Sequence, residues 1–115
     1  MDLGYSTEEM AFRNEVRSWL ADNLPADLRE KVLAYQHLSK EDLVRWHKIL
    51  DAKGWAVPHW PVEWGGTGWD ITQRYIFNDE FGLAGAPGIA PFGPAMCASV
   101  LMRFGTDEQK NRFLP

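Results

Sequence analysis

The sequence predicts an all-α domain, a bundle of five to six helices around a loop rich in tryptophan and glycine. Three observations carry that prediction. Apolar residues recur at helical spacing in several segments. Serine, threonine and acidic residues stand at the start of those segments in the pattern of helix caps. No stretch alternates apolar and polar residues in the way a half-buried strand requires.

The first helix opens at Ser6-Thr7-Glu8-Glu9, a capping box in which the Ser6 hydroxyl and the Glu9 side chain each satisfy a free backbone N–H. Phe12, Val16, Trp19 and Leu20 then share one face, opposite a face carrying Arg13, Asn14, Arg17 and Ser18. Pro25 ends this helix or starts the next, because proline is tolerated only in a first turn. Leu28, Val32 and Leu33 mark a short second helix. Ser39-Lys40-Glu41-Asp42 caps a third, with Leu43, Trp46 and Leu50 at helical spacing and Gly54 as its left-handed stop.

From Trp55 to Trp69 the character changes. Pro58 and Pro61 forbid a continuous helix, and Gly65, Gly66 and Gly68 permit unusual backbone angles. Asp70 or Thr72 caps a fourth helix running towards Phe81, with Gly82 as its expected stop. After a turn-prone stretch, Pro94 is placed to begin a fifth helix that Gly105 closes. Thr106-Asp107-Glu108-Gln109 caps a last short helix before Leu114-Pro115.

Composition narrows the function. The 115 residues are 45% hydrophobic and 24% charged, ordinary proportions for a single folded domain. A net charge of −4 argues against a nucleic-acid binder, which would show a basic face. The one cysteine, Cys97, excludes an internal disulfide and fits a reducing compartment. No apolar run approaches the roughly 18 residues that span a bilayer, and Met1 to Glu9 lack the features of a secretory leader. A cytoplasmic location is the default expectation. Met1 reads as a natural start, whereas nothing marks Pro115 as a natural end.

Five of the six tryptophans (Trp46, Trp55, Trp60, Trp64, Trp69) crowd into one region and need a core or a partner to cover them. The glycine-rich run Glu63 to Trp69 lacks the Gly-Lys-Ser/Thr of a P-loop and any preceding strand, so it reads as a tight loop packing its tryptophans. His37, His47 and His59 are too widely spaced for a zinc site, and no metal is expected. Asp79 and Glu80, about 100° apart on a helix, are not an acid–base pair; solvated positions or helix contacts are expected of them. Cys97, among Met96, Ala98 and Val100, reads as a small buried hydrophobe. No complete catalytic set is present.

The order of these features resembles the N-terminal helical domain of the acyl-CoA dehydrogenase family along essentially the whole chain. The resemblance rests on Gly54-Trp55, on Trp60-Pro61-Val62-Glu63-Trp64-Gly65-Gly66-Thr67-Gly68, on Phe77-Asn78-Asp79-Glu80 and on the closing run Phe104 to Pro115. Within the family, His37 to Asp42 and Lys53 to Pro61 are similar to the pimeloyl-CoA dehydrogenase subgroup, in its large subunit. The resemblance implies an FAD-dependent oxidoreductase that converts an acyl-CoA to a trans-2-enoyl-CoA. The acyl-CoA would be pimeloyl-CoA or another dicarboxyl or medium-chain thioester, with a steroid side-chain or branched acyl-CoA as the alternative. An electron-transfer flavoprotein would reoxidise the flavin, and the subunits would form a homo- or hetero-oligomer.

The family's middle β-domain and C-terminal helical domain, which supply most flavin contacts and the catalytic glutamate, would lie beyond Pro115. No residue of this chain is expected to be catalytic, and the fragment alone is expected to be inactive. By family position, Pro91, Phe92, Gly93 and Met96 would approach the acyl chain or the flavin. Gly93 would let a ligand near the backbone, and Phe92 and Met96 offer adaptable apolar surface; the competing reading has both side chains filling the domain core. A stand-alone helical interaction module, or a non-catalytic subunit of the same fold, is the alternative from another functional class.

Overall fold

The computed structural model describes residues 4–115; the reading of Met1 as a start falls outside them. Among the described residues there are six α-helices and no strand. The helices are α1 (Thr7–Asn23), α2 (Ala26–Leu33), α3 (Lys40–Lys53), α4 (Ile71–Ala84), α5 (Ala98–Phe104) and α6 (Asp107–Phe113), with a 3₁₀ turn at Val62–Trp64 and a π-helical turn at Phe92–Cys97.

Local chemistry sets most of the helix starts. Ser6 and Glu9 exchange hydrogen bonds across the first turn of α1, at 3.2 and 2.8 Å. Ser39 and Asp42 do the same for α3, and Thr106 and Gln109 for α6. Of the two candidate caps for α4, Asp70 holds the position and pairs with Gln73. Pro25 sits just before α2, its ring angle already suited to helix entry.

Three expectations are corrected. Gly82 does not stop α4: the helix runs through it to Ala84, and Gly85, at φ 74°, makes the left-handed turn. There the amide of Ala86 donates back to the Phe81 carbonyl at 3.0 Å, closing the helix end as a Schellman-type motif does. A Cβ on Gly85 would also come to 3.0 Å from the Leu33 side chain, so a larger residue there would require Leu33 of α2 to shift. Pro94 does not begin the fifth helical segment, which starts two residues earlier as the π turn. Cys97 is exposed rather than buried, because the widened turn rotates it away from the core and leaves Ala98 as the buried residue.

The core is built from Val16 and Leu20 of α1, Leu28 of α2, Trp46 and Leu50 of α3, Trp55 and Ala56 of the loop, and Phe77 of α4. Its distinguishing component is a column of rings. Phe12 meets Trp69 at 5.0 Å between centroids, Trp69 meets Phe77 at 5.0 Å, and Trp55 meets both Phe77 (5.7 Å) and Trp19 (5.0 Å). Trp19 continues to Trp46 at 5.9 Å, and Trp46 to Phe81 at 6.0 Å. Each such pair adds roughly 0.5–1.5 kcal/mol beyond area burial. Of the tryptophan cluster, Trp46, Trp55 and Trp69 are therefore covered from within, whereas Trp60 and Trp64 line a groove.

Two charge arrangements tie helices together. Arg17 of α1 grips Glu80 of α4 with two guanidinium nitrogens, at 3.0 and 2.8 Å, while Glu80 is 4% exposed and Asp79 is solvated. Lys31 of α2 donates to Asp42 of α3 at 2.7 Å, and Arg45 bridges to Asp27.

Candidate functional site

Around the glycine-rich loop the backbone folds onto itself. The amide of Gly66 donates to the Pro61 carbonyl at 3.0 Å, and a Cβ at Gly66 would fall 1.6 Å from the Trp60 carbonyl oxygen. This glycine is required by close approach of main chain to main chain. The loop is closed on its own carbonyls, which does not fit a cradle opened towards a phosphate.

Two indoles reach from this half of the molecule to the segment that follows α4. Trp46 donates its ring N–H to the Pro87 carbonyl at 3.0 Å, and Trp60 donates to the Pro94 carbonyl at 2.8 Å. Pro94 lies within the π turn. There the Pro91 carbonyl accepts from both Ala95 and Met96, at 3.0 and 3.1 Å, and the amide of Ala98 donates to Gly93. Such i→i+5 turns are rare and concentrate at functional sites.

Between α3, the loop, the π turn and the C-terminal residues lies an open groove of about 1040 Å³. Leu43, Val57, Trp60, Ile89 and Leu101 give it apolar walls, and Lys40, His47, Lys48 and Asp51 place polar groups along α3. The size is that of a small-molecule site. Of the predicted substrate-facing residues, Gly93 lines this groove. Phe92 and Met96 do not fill the core: they are 73% and 58% exposed, and Pro91 is exposed beside them. With Val100 and Phe104, at 60% and 77%, they form an apolar stripe at four-residue spacing along the π turn and α5.

The remaining polar candidates do not assemble into a catalytic group. Glu80 spends both carboxylate oxygens on Arg17, and Glu63 lies exposed on the 3₁₀ turn. The Glu80 hydrogen bonds and charge raise the Arg17 guanidinium above its ordinary value. The Asp42 carboxyl is held below the usual aspartate value, first by Lys31 and then by the Ser39 backbone; Arg45 does the same to Asp27. These are structural pairs. His37 and His59 are exposed and His47 faces the groove, and no three His, Cys, Asp or Glu side chains converge among the described residues. Trp60 was not among the predicted site residues. A half-buried indole needs an acceptor for its N–H, but nothing in the sequence says that the acceptor is 34 residues away.

Comparison with known proteins gives the geometry a context. Residues 6–115 match the family described as acyl-CoA dehydrogenase, N-terminal domain. The chain is 40% identical over 113 residues to acyl-CoA dehydrogenase IpdE1 of Mycolicibacterium smegmatis, covering 94% of this chain and 29% of that protein. In solved structures, it is similar to a steroid ACAD, Tcur3481–Tcur3483, with a TM-score of 0.81 and 35% identity over 100% of this chain and 29% of that one. It is also similar to the ChsE4–ChsE5 complex from Mycobacterium tuberculosis, with a TM-score of 0.74 and 32% identity over 100% of this chain and 28% of that one. The chain thus spans less than a third of the length of these relatives. It belongs to the acyl-CoA dehydrogenase family, and its six helices are that family's N-terminal domain.

Proposed function

We propose that this domain is the N-terminal part of a longer FAD-dependent acyl-CoA dehydrogenase, which introduces an α,β double bond into an acyl-CoA thioester. The observation that carries the reading is the apolar stripe of Phe92 and Met96 beside the exposed backbone of Gly93. A domain with a well-covered aromatic core has no internal reason to leave such side chains in water. In the complete protein Pro91, Phe92, Gly93 and Met96 form one wall for the acyl chain, and Val100 and Phe104 continue that wall against the middle β-domain and the C-terminal helical domain.

FAD is the cofactor of the complete protein. The closed glycine loop of this chain does not fit its phosphates; by the family's organisation, most flavin contacts and the catalytic base belong to the other domains. Similarity to the Tcur3481–Tcur3483 steroid ACAD favours a steroid side-chain acyl-CoA over pimeloyl-CoA or another medium-chain thioester. The ChsE4–ChsE5 complex favours a partner subunit of related fold. An electron-transfer flavoprotein reoxidises the flavin, and the enzyme works in the cytoplasm. No helix among the described residues is long and apolar enough to cross a membrane.

The test is the visible spectrum of the protein purified from its natural source, with its natural length and partners. Acyl-CoAs are then added: pimeloyl-CoA, straight medium-chain thioesters and a steroid side-chain thioester. A flavin band bleached most completely by the steroid thioester is expected. Bleaching by pimeloyl-CoA alone would reverse the substrate assignment. A protein that stays colourless with added FAD would overturn the enzyme reading and leave a helical interaction module.

A further inference from the structure

The π turn is held in an unusual way. None of its residues, Phe92 to Cys97, is buried, and core packing reaches it only at its end, through Ala98. Its hydrogen-bond pattern is the wide one, less stable on its own than an α-helix and kept where something external holds it. The external tie is the Trp60 indole, whose N–H reaches the Pro94 carbonyl at 2.8 Å from the far side of the groove. Pro94 follows Gly93 directly and precedes Met96 by two residues, so the bond fixes the part of the turn that presents both. The Trp60 main chain is itself held. Its own amide donates to Val57 at 3.0 Å, and its carbonyl abuts Gly66 too closely for any side chain there. The loop thus grips, from across the groove, a turn held otherwise by Ser99, whose hydroxyl donates to the Ala95 carbonyl at 2.6 Å, and by its continuity with α5.

We propose that Trp60 is a positioning residue that sets acyl-chain preference. By holding the Pro94 carbonyl it fixes the spacing of the π turn from the loop, and with it the placement of Phe92, Gly93 and Met96 against the acyl chain. The assignment rests on the reading of these three residues as an acyl wall. Trp60 need not touch the reacting atoms; its effect passes through the turn.

The experiment uses the complete natural protein with its partners. Trp60 is replaced by 3-benzothienylalanine, which keeps the ring shape and removes the N–H, and in parallel by phenylalanine (Trp60→Phe). The isostere guards against loss of folding. Two readouts are taken: amide hydrogen exchange over residues 91–98, and KM and kcat across acyl-CoAs of graded chain length and branching. Loss of one hydrogen bond is expected to speed exchange in that segment about three- to tenfold. KM is expected to change by a similar factor for some acyl chains and not for others, with kcat within about twofold. Unchanged exchange overturns the proposed tie. Altered exchange with an unchanged or uniformly scaled KM profile overturns the specificity role while the enzyme reading stands. A wild-type protein that oxidises no acyl-CoA overturns the enzyme reading and the specificity role together, whereas the exchange result still reports on the tie itself.

Discussion

Replacing Gly66 by alanine tests whether the glycine-rich run is a structural clasp. An ideal Cβ at this position would lie 1.6 Å from the Trp60 carbonyl oxygen, 2.4 Å from its carbon and 3.1 Å from the Pro61 carbonyl carbon. An ordinary contact needs about 3.5 Å, so the deficit approaches 2 Å and no flexible side chain can yield to it. The turn must open, and the bond from the Gly66 amide to Pro61 is lost with it. A broken hydrogen bond at about 1 kcal/mol and backbone overpacking at about 1–3 kcal/mol sum to roughly 3 kcal/mol. For a domain of this size that lowers the melting temperature by on the order of 10–20 °C. Gly65 is the control. Its φ of 101° is left-handed, but a Cβ there would meet only Val57, at 4.0 Å, so Gly65→Ala costs about 1–2 kcal/mol in backbone strain alone. Thermal and urea unfolding of both variants, followed by far-ultraviolet circular dichroism, gives the comparison. The reasoning is refuted if Gly66→Ala is the milder of the two or loses less than about 1 kcal/mol.

Other perturbations address the rest of the framework. Leu50→Ala, at a side chain that is 0% exposed, empties the centre of the core and is expected to cost about 2–5 kcal/mol in denaturant unfolding. Arg17→Leu leaves the buried Glu80 carboxylate without its partner, so it should destabilise more than the double variant Arg17→Leu/Glu80→Leu; a double-mutant cycle reads the difference. The depressed Asp42 carboxyl contributes stability that is fully present above its ordinary value of 3.8 and is lost as pH falls through the lower folded value. Stability measured below pH 3.8 should therefore show an acid limb that Asp42→Asn diminishes.

Helix starts were the most legible part of the sequence because each is decided within four residues. Ser6 with Glu9, Ser39 with Asp42 and Thr106 with Gln109 form their bonds between residues three apart. Features set by distant contacts were not legible. Gly82 and Gly85 are equivalent as letters, and only the folded chain shows that the second takes the left-handed turn, with Leu33 of α2 packed beside it. The Arg17–Glu80 pair spans 63 residues, so position alone placed Glu80 only as a helix contact or a solvated residue. At the candidate site the apolar character of Phe92 and Met96 was visible, whereas their exposure was not. It depends on a π turn in which Pro94 is the third residue, whereas a proline there is equally compatible with an ordinary helix entry. The tie from Trp60 was invisible for the same reason.

The ring column has a further consequence for how this protein reports on itself. Trp19, Trp46, Trp55 and Trp69 belong to one continuous set of contacts, so their optical transitions sense one another as well as the solvent. The near-ultraviolet dichroism of the chain is thus a property of the assembled column rather than of any single indole. A state that kept its helices but let the rings turn freely would lose this signal while retaining its far-ultraviolet spectrum, the signature of a molten globule. The four capped helix starts, by contrast, are closed by bonds within a single turn and owe nothing to the ring contacts.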